Sequence, residues 1–203
     1  MHNQSPIVIS FYTVETPYQQ EVLHLIRSCE EWGIEARIEG RKSQGSWELN
    51  CAQKPAFILE KLEQLKKPVL WVDADALFLD RPNWSEFQEC DVAVRINARL
   101  SEEVLSGTVF INYTEEGLAV VRAWVKECQE LVSMSGYLTT LFGLKCNFWD
   151  QSALKEVLLR TTNTKILPLP VPYCKIFDLD QDAPAIIEHR QASRRFKDQI
   201  KNY

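Results

Sequence analysis

What the sequence lacks narrows its function before any motif is read. No apolar stretch approaches the ~18 residues of a membrane-crossing helix, and residues 1–6 are polar without the core of a secretory signal. Positive charge is not in excess. The 23 Lys and Arg stand against 28 Asp and Glu, and a net charge of −5 gives no basis for nucleic-acid binding. No two of the six cysteines form a Cys-x-x-Cys pair, so neither a disulfide framework nor a thiolate zinc site is expected. Cys29 and Cys128 fall at apolar positions of expected helices, as small buried hydrophobes. Together these absences predict a reducing, cytoplasmic setting with no membrane span. Repeats and low-complexity tracts are also missing.

What is present is an ordinary globular composition, 45% hydrophobic and 25% charged over 203 residues, enough for one domain spanning 1–203. The chain is organised around residues 67–82, KPVLWVDADALFLDRP. Val69, Leu70, Trp71 and Val72 read as a buried strand after a proline. The strand closes on Asp73 and Asp75. In extended backbone, side chains at i and i+2 share a face, roughly 6–7 Å apart. Two like charges there repel and lose solvation. A divalent cation between them removes both penalties, and Mg²⁺ is held by one or two carboxylates plus substrate phosphates. A pair of solvated aspartates opening a turn is the alternative.

Residues 7–12, IVISFY, read as the first strand. Thr16 is placed to cap the next helix, with Pro17 at its first position and Gln19 completing a capping box. Val22, Leu25, Ile26 and Cys29 follow at helical spacing until Gly33, and residues 34–38 alternate as a strand does. This β-α-β opening predicts a mostly parallel central sheet with helices on both faces. Ligands of such sheets bind outside the carboxyl ends of the strands, so loop 13–18 and the Asp73/Asp75 pair are expected to face one pocket.

Residues 40–47 read as an exposed loop, whose Arg41 and Lys42 either reach phosphates or lie in solvent. A helix is expected over 51–65, with Lys54-Pro55 at its start. A lysine there opposes the helix dipole, a local conflict of the kind that marks sites. Strands are expected over 91–96 and 109–112, with Arg95 either lining the pocket or facing outward. A helix over 115–132, capped by Thr114, leads into a loop over 133–145. Asp150 opens the next helix, residues 165–172 suit an edge strand, and 173–177 form one more short strand. Finally His189 stands at a strand end, followed by Arg190, Arg194, Arg195 and Lys197.

In order along the chain, LWVDADALFLDRP, SGTVFIN (106–112), WDQSAL (149–154) and IIEHRQASRRFK (186–197) resemble segments of GT-A fold glycosyltransferases, especially the nucleotide-diphospho-sugar transferase type. The resemblance spans nearly the whole chain and implies a single Rossmann-like GT-A domain. It further implies transfer of a sugar from a UDP- or GDP-linked donor to a glycan, protein or small molecule, with retention of configuration and with Mn²⁺ or Mg²⁺ as cofactor. Asp73, Asp75 and His189 would hold the metal, Asp73 alternatively binding the ribose. Arg194, Arg195 or Lys197 would contact the diphosphate, and Thr13, Val14, Tyr18 and Lys54 would surround the nucleotide. Gly107 and Thr108 would line the sugar or acceptor side, and Asp150 and Gln151 would lie near the anomeric carbon. One departure stands out: the glycines often found between that histidine and the following cation are absent from 189–195.

Two other classes fit parts of the pattern. Haloacid-dehalogenase-type phosphatases also end a strand in Asp-x-Asp, but near the N-terminus and with Thr or Val where this chain has Leu77. A non-catalytic nucleotide-binding module would keep the fold without the chemistry.

Overall fold

The computed structural model of the chain describes residues 5–87, 89–97, 103–142 and 150–196. Its centre is a six-stranded sheet in the order β2-β1-β3-β6-β5-β7. These strands are β1 (Ile7–Thr13), β2 (Ala36–Arg41), β3 (Val69–Val72), β5 (Val92–Asn97), β6 (Glu103–Ile111) and β7 (Ile166–Pro168). Strands β2, β1, β3, β5 and β7 run one way and β6 runs against them. The expected mostly parallel sheet is observed.

Strands β1, β3, β5 and β6 feed two cores, because successive side chains point to opposite faces. Ile7, Ile9, Val69, Trp71, Val92, Val94, Val109 and Ile111 pack on one face against α3 (Lys54–Leu65), α4 (Glu115–Phe142) and α5 (Asp150–Arg160). Val8, Leu70, Val72, Ala93 and Phe110 face the other core, covered by Leu25 and Cys29 of α1 (Tyr18–Glu31), with Phe87, Tyr173 and Ile187. Helices therefore flank both faces, as the alternating pattern requires.

Three expectations are corrected. The helix expected over 51–65 is two, α2 (Trp47–Ala52) and α3, because Pro55 has no N–H for the Cys51 carbonyl and can only sit in a first turn. The loop expected over 133–145 is helical as far as Phe142. Gly136 costs a helix only about 1 kcal/mol relative to Ala, too little to end a long one. The strand expected over 173–177 is only Lys175–Ile176, after a short helical turn over Val171–Cys174, and it lies outside the main sheet. β4 (Ala76–Phe78), β8 (Lys175–Ile176) and β9 (Ile187–His189) form a second sheet, with β9 in the middle. Among the described residues no helix is long and apolar enough to cross a membrane.

Candidate metal and donor site

Asp73 and Asp75 do not continue β3. The Ala76 amide donates to the Asp73 carbonyl at 3.0 Å, folding 73–76 into a tight turn. The strand geometry expected for the pair is therefore replaced by a turn, which also brings the two carboxylates together. The turn leads into β4, which pairs antiparallel with β9 so that Ala76 lies opposite His189. One donor atom from each of Asp73, Asp75 and His189 lies within 4.8 Å of the others. The fold thus brings His189 beside two aspartates that lie more than 100 positions before it.

The surroundings of this cluster fit a cation. His189 is 2% exposed, and its Nε2 shares a 2.8 Å hydrogen bond with Thr108 Oγ1. With Nε2 as donor, Nδ1 keeps its lone pair, the arrangement usual for metal-binding imidazoles. Burial pushes the imidazole down to about 4, partly offset by Asp73, so it is neutral at physiological pH. Gly107 forms the floor. A Cβ there would stand 3.0 Å from His189 Nδ1 and 3.4 Å from Asp73 Oδ2, in the space between ring and carboxylate. Asp75 Oδ2 accepts from the Ala192 amide at 2.6 Å. Burial, and then the Asp73 charge, nevertheless push the Asp75 carboxyl up to about 6. Two carboxylates and a neutral imidazole are a suitable donor set for a divalent ion. Asp73, with a side chain 35% exposed, gives the site its open side.

Lys54 explains the conflict at the start of α3. Its ammonium is buried and lies 2.8 Å from Asp150 Oδ2 and 3.1 Å from Asp73 Oδ1. It also donates to Ser106 Oγ at 3.1 Å and to the Ser106 carbonyl at 3.2 Å. Burial works against the ammonium, but Asp150 and then Asp73 outweigh it and hold the lysine above its ordinary pKa. Asp150 also accepts from Ser106 Oγ at 2.7 Å, and Trp71 Nε1 donates to Asp73 Oδ1 at 2.8 Å. These contacts hold Asp73 and Asp150 to one lysine.

The remaining expected residues have partners of their own. Thr13 Oγ1 and Thr16 Oγ1 are 2.9 Å apart, the Thr16 hydroxyl bonds the Thr13 carbonyl, and the Val14 amide donates to Arg41. Loop 13–18 is thus held by its own bonds. The expected capping box is not formed: Pro17, with no side chain to accept a bond, is the N-cap of α1, while Thr16 Oγ1 accepts from the Tyr18 amide and Gln19 Oε1 from the Glu15 amide. Tyr18 accepts from Trp47 Nε1 at 3.2 Å, and burial, followed by Asp75, raises its phenol well above the usual value. Gln151 donates to Glu103 Oε1 at 2.5 Å. Arg194 pairs with Asp178 at 2.9 Å in an exposed setting, and Arg195 pairs with Glu21 and donates to the Arg190 carbonyl. Lys197 lies outside the described residues. Arg41 pairs with Glu60 and lies over Phe57, while Arg95 is buried on Asp180.

Sequence reasoning missed Ser106, Trp71 and Glu103 as parts of the site. Ser106 and Trp71 both lay inside motifs already singled out, and a polar Ser106 in an apolar strand was the available signal. Glu103 carried none.

No family model and no curated protein matches the chain. Among solved structures, it is similar to a glycosyltransferase involved in the glycosylation of the major capsid of PBCV-1. That match has a TM-score of 0.68 and 14% identity, and covers 96% of each chain. The chain thus shares the fold of that protein along nearly its whole length.

Proposed function

We propose that the chain is a metal-dependent glycosyltransferase that moves a sugar from a UDP- or GDP-linked donor to an acceptor hydroxyl with retention. The observation that carries the reading is the convergence of Asp73, Asp75 and His189 over Gly107 in a fold shared with a glycosyltransferase. The three side chains would hold Mn²⁺ or Mg²⁺. When bound, the ion supplies positive charge for the leaving diphosphate.

The chain's own residues do the rest. Thr108 fixes the His189 ring, and Gly107 leaves the space in front of it. Asp150 would sit near the anomeric carbon as a fixed negative charge, offsetting the positive charge that develops on the sugar. Its ties to Lys54 and Ser106 make it a poor base for an acceptor hydroxyl, which favours retention over inversion. Gln151, tethered by Glu103, would present its amide oxygen on the same side. Tyr18 and Trp47 would flank the nucleotide. Arg194 and Arg195 would be available to the diphosphate once their present partners are exchanged, and Lys197 is a further cation nearby in the sequence.

Tryptophan fluorescence titrated with UDP and GDP, with and without Mn²⁺, tests the reading. Metal-dependent nucleotide binding that disappears in Asp75→Ala is expected. Binding that ignores both the metal and the substitution overturns it.

A further inference from the structure

Four oxygens surround Lys54 Nζ: Asp150 Oδ2 at 2.8 Å, Asp73 Oδ1 and Ser106 Oγ at 3.1 Å, and the Ser106 carbonyl at 3.2 Å. This shell holds two carboxylates, so one ammonium leaves it with a net negative charge. An all-oxygen shell of carboxylates, hydroxyl and carbonyl is also what hard divalent cations take. Asp73 belongs to two centres at once. Its Oδ1 faces the ammonium, while a Cβ on Gly107 would meet its Oδ2 at 3.4 Å, beside the imidazole.

We propose that Lys54 is a positioning residue whose ammonium stands in for a second divalent cation. It fills the oxygen shell between Asp73 and Asp150, turns the second oxygen of Asp73 towards His189, and restricts the chain to one metal ion. This rests on the reading of Asp73, Asp75 and His189 as the metal site. The lysine thereby ties the metal-binding turn after β3 to the start of α5, and Asp150 is kept from becoming a ligand.

The test counts bound Mn²⁺ by the loss of the free-ion electron paramagnetic resonance signal, with no nucleotide and no turnover. Wild type and Lys54→Arg, which keeps the charge, are expected to bind one ion. Lys54→Ser is expected to bind two, and Lys54→Ser/Asp150→Asn one again. A Lys54→Ser protein that still binds one ion overturns the proposal. Wild type binding none, while Lys54→Ser binds one, instead defeats the underlying metal reading and leaves the lysine's role standing. Should Lys54→Ser fail to fold in cation-free buffer, near-ultraviolet circular dichroism in millimolar Mg²⁺ decides. Recovery of the native signal supports replacement of the ammonium by a cation, and lack of recovery overturns it.

Discussion

Asp75 and Asp150 are both buried carboxylates, 8% and 6% exposed, on either side of Asp73. Asp150 has an ammonium at 2.8 Å and a serine hydroxyl at 2.7 Å. Asp75 has the backbone amides of Ala192 and of Asp75 itself and a like charge, and its carboxyl is pushed up to about 6. The first is a completed interaction that contributes to the folded state. The second has no ion-pair partner among the described residues, and its charge opposes folding. Such contrasts distinguish a carboxylate held by its own partners from one left open to a cation.

The largest effect comes from breaking the completed half. Lys54→Met leaves Asp150 buried without its cation and should destabilise the protein by about 3–5 kcal/mol, measured by urea unfolding. Removing the unmatched charge should have the opposite sign. Asp75→Asn should raise the stability of the metal-free protein at neutral pH by on the order of 1–2 kcal/mol. The same change should weaken Mn²⁺ binding by more than about 100-fold, beyond the loss expected for an outer hydrogen-bond partner. Gly107→Ala places a methyl group 2.9 Å from the His189 ring. It should cost about 1–3 kcal/mol through overpacking and also abolish the calorimetric Mn²⁺ signal.

The pH dependence separates the two ligands. The Asp75 carboxyl binds its proton more tightly folded than unfolded, so this contribution is present in acid and lost as pH rises through about 6. His189 is shifted the other way, to about 4, so its contribution is full above the ordinary imidazole pKa and lost as pH falls towards 4. Thermal unfolding of Asp75→Asn should therefore show only the histidine limb, with stability rising with pH through that window. In wild type, the stabilisation by Mn²⁺ should grow from pH 5 to pH 7 as the ion no longer competes with the Asp75 proton. The smallest effect belongs to the exposed Arg194–Asp178 pair, where Arg194→Ala should change stability by less than ~1 kcal/mol.

The parts of the molecule visible in the sequence are those where one local rule decides. The β1-α1-β2 opening follows from apolar period and capping, and the placement of Asp73 after Val72 follows from a four-residue apolar run. Strand direction has no such signature. The apolar residues of β6 announce a strand, but only pairing with β3 and β5 shows that it runs backwards. The conflict at Lys54 was legible as a conflict. Its resolution was not, because Ser106 lies 52 positions away and reaches it only through the fold. His189 was read as a ligand through resemblance, whereas the means of delivering it, a second sheet with β9 pairing the strand behind Asp75, left no mark in the local pattern.

That pairing of 76–78 with 187–189 sets when the proposed metal site can first be complete. During synthesis the two aspartates emerge early, but the imidazole that completes them follows more than 100 residues later. A nascent chain long enough to form the main sheet still offers only two mutually repelling carboxylates. On the proposed metal reading, cation capture is thus a late event in biogenesis, coinciding with the closing of the small sheet.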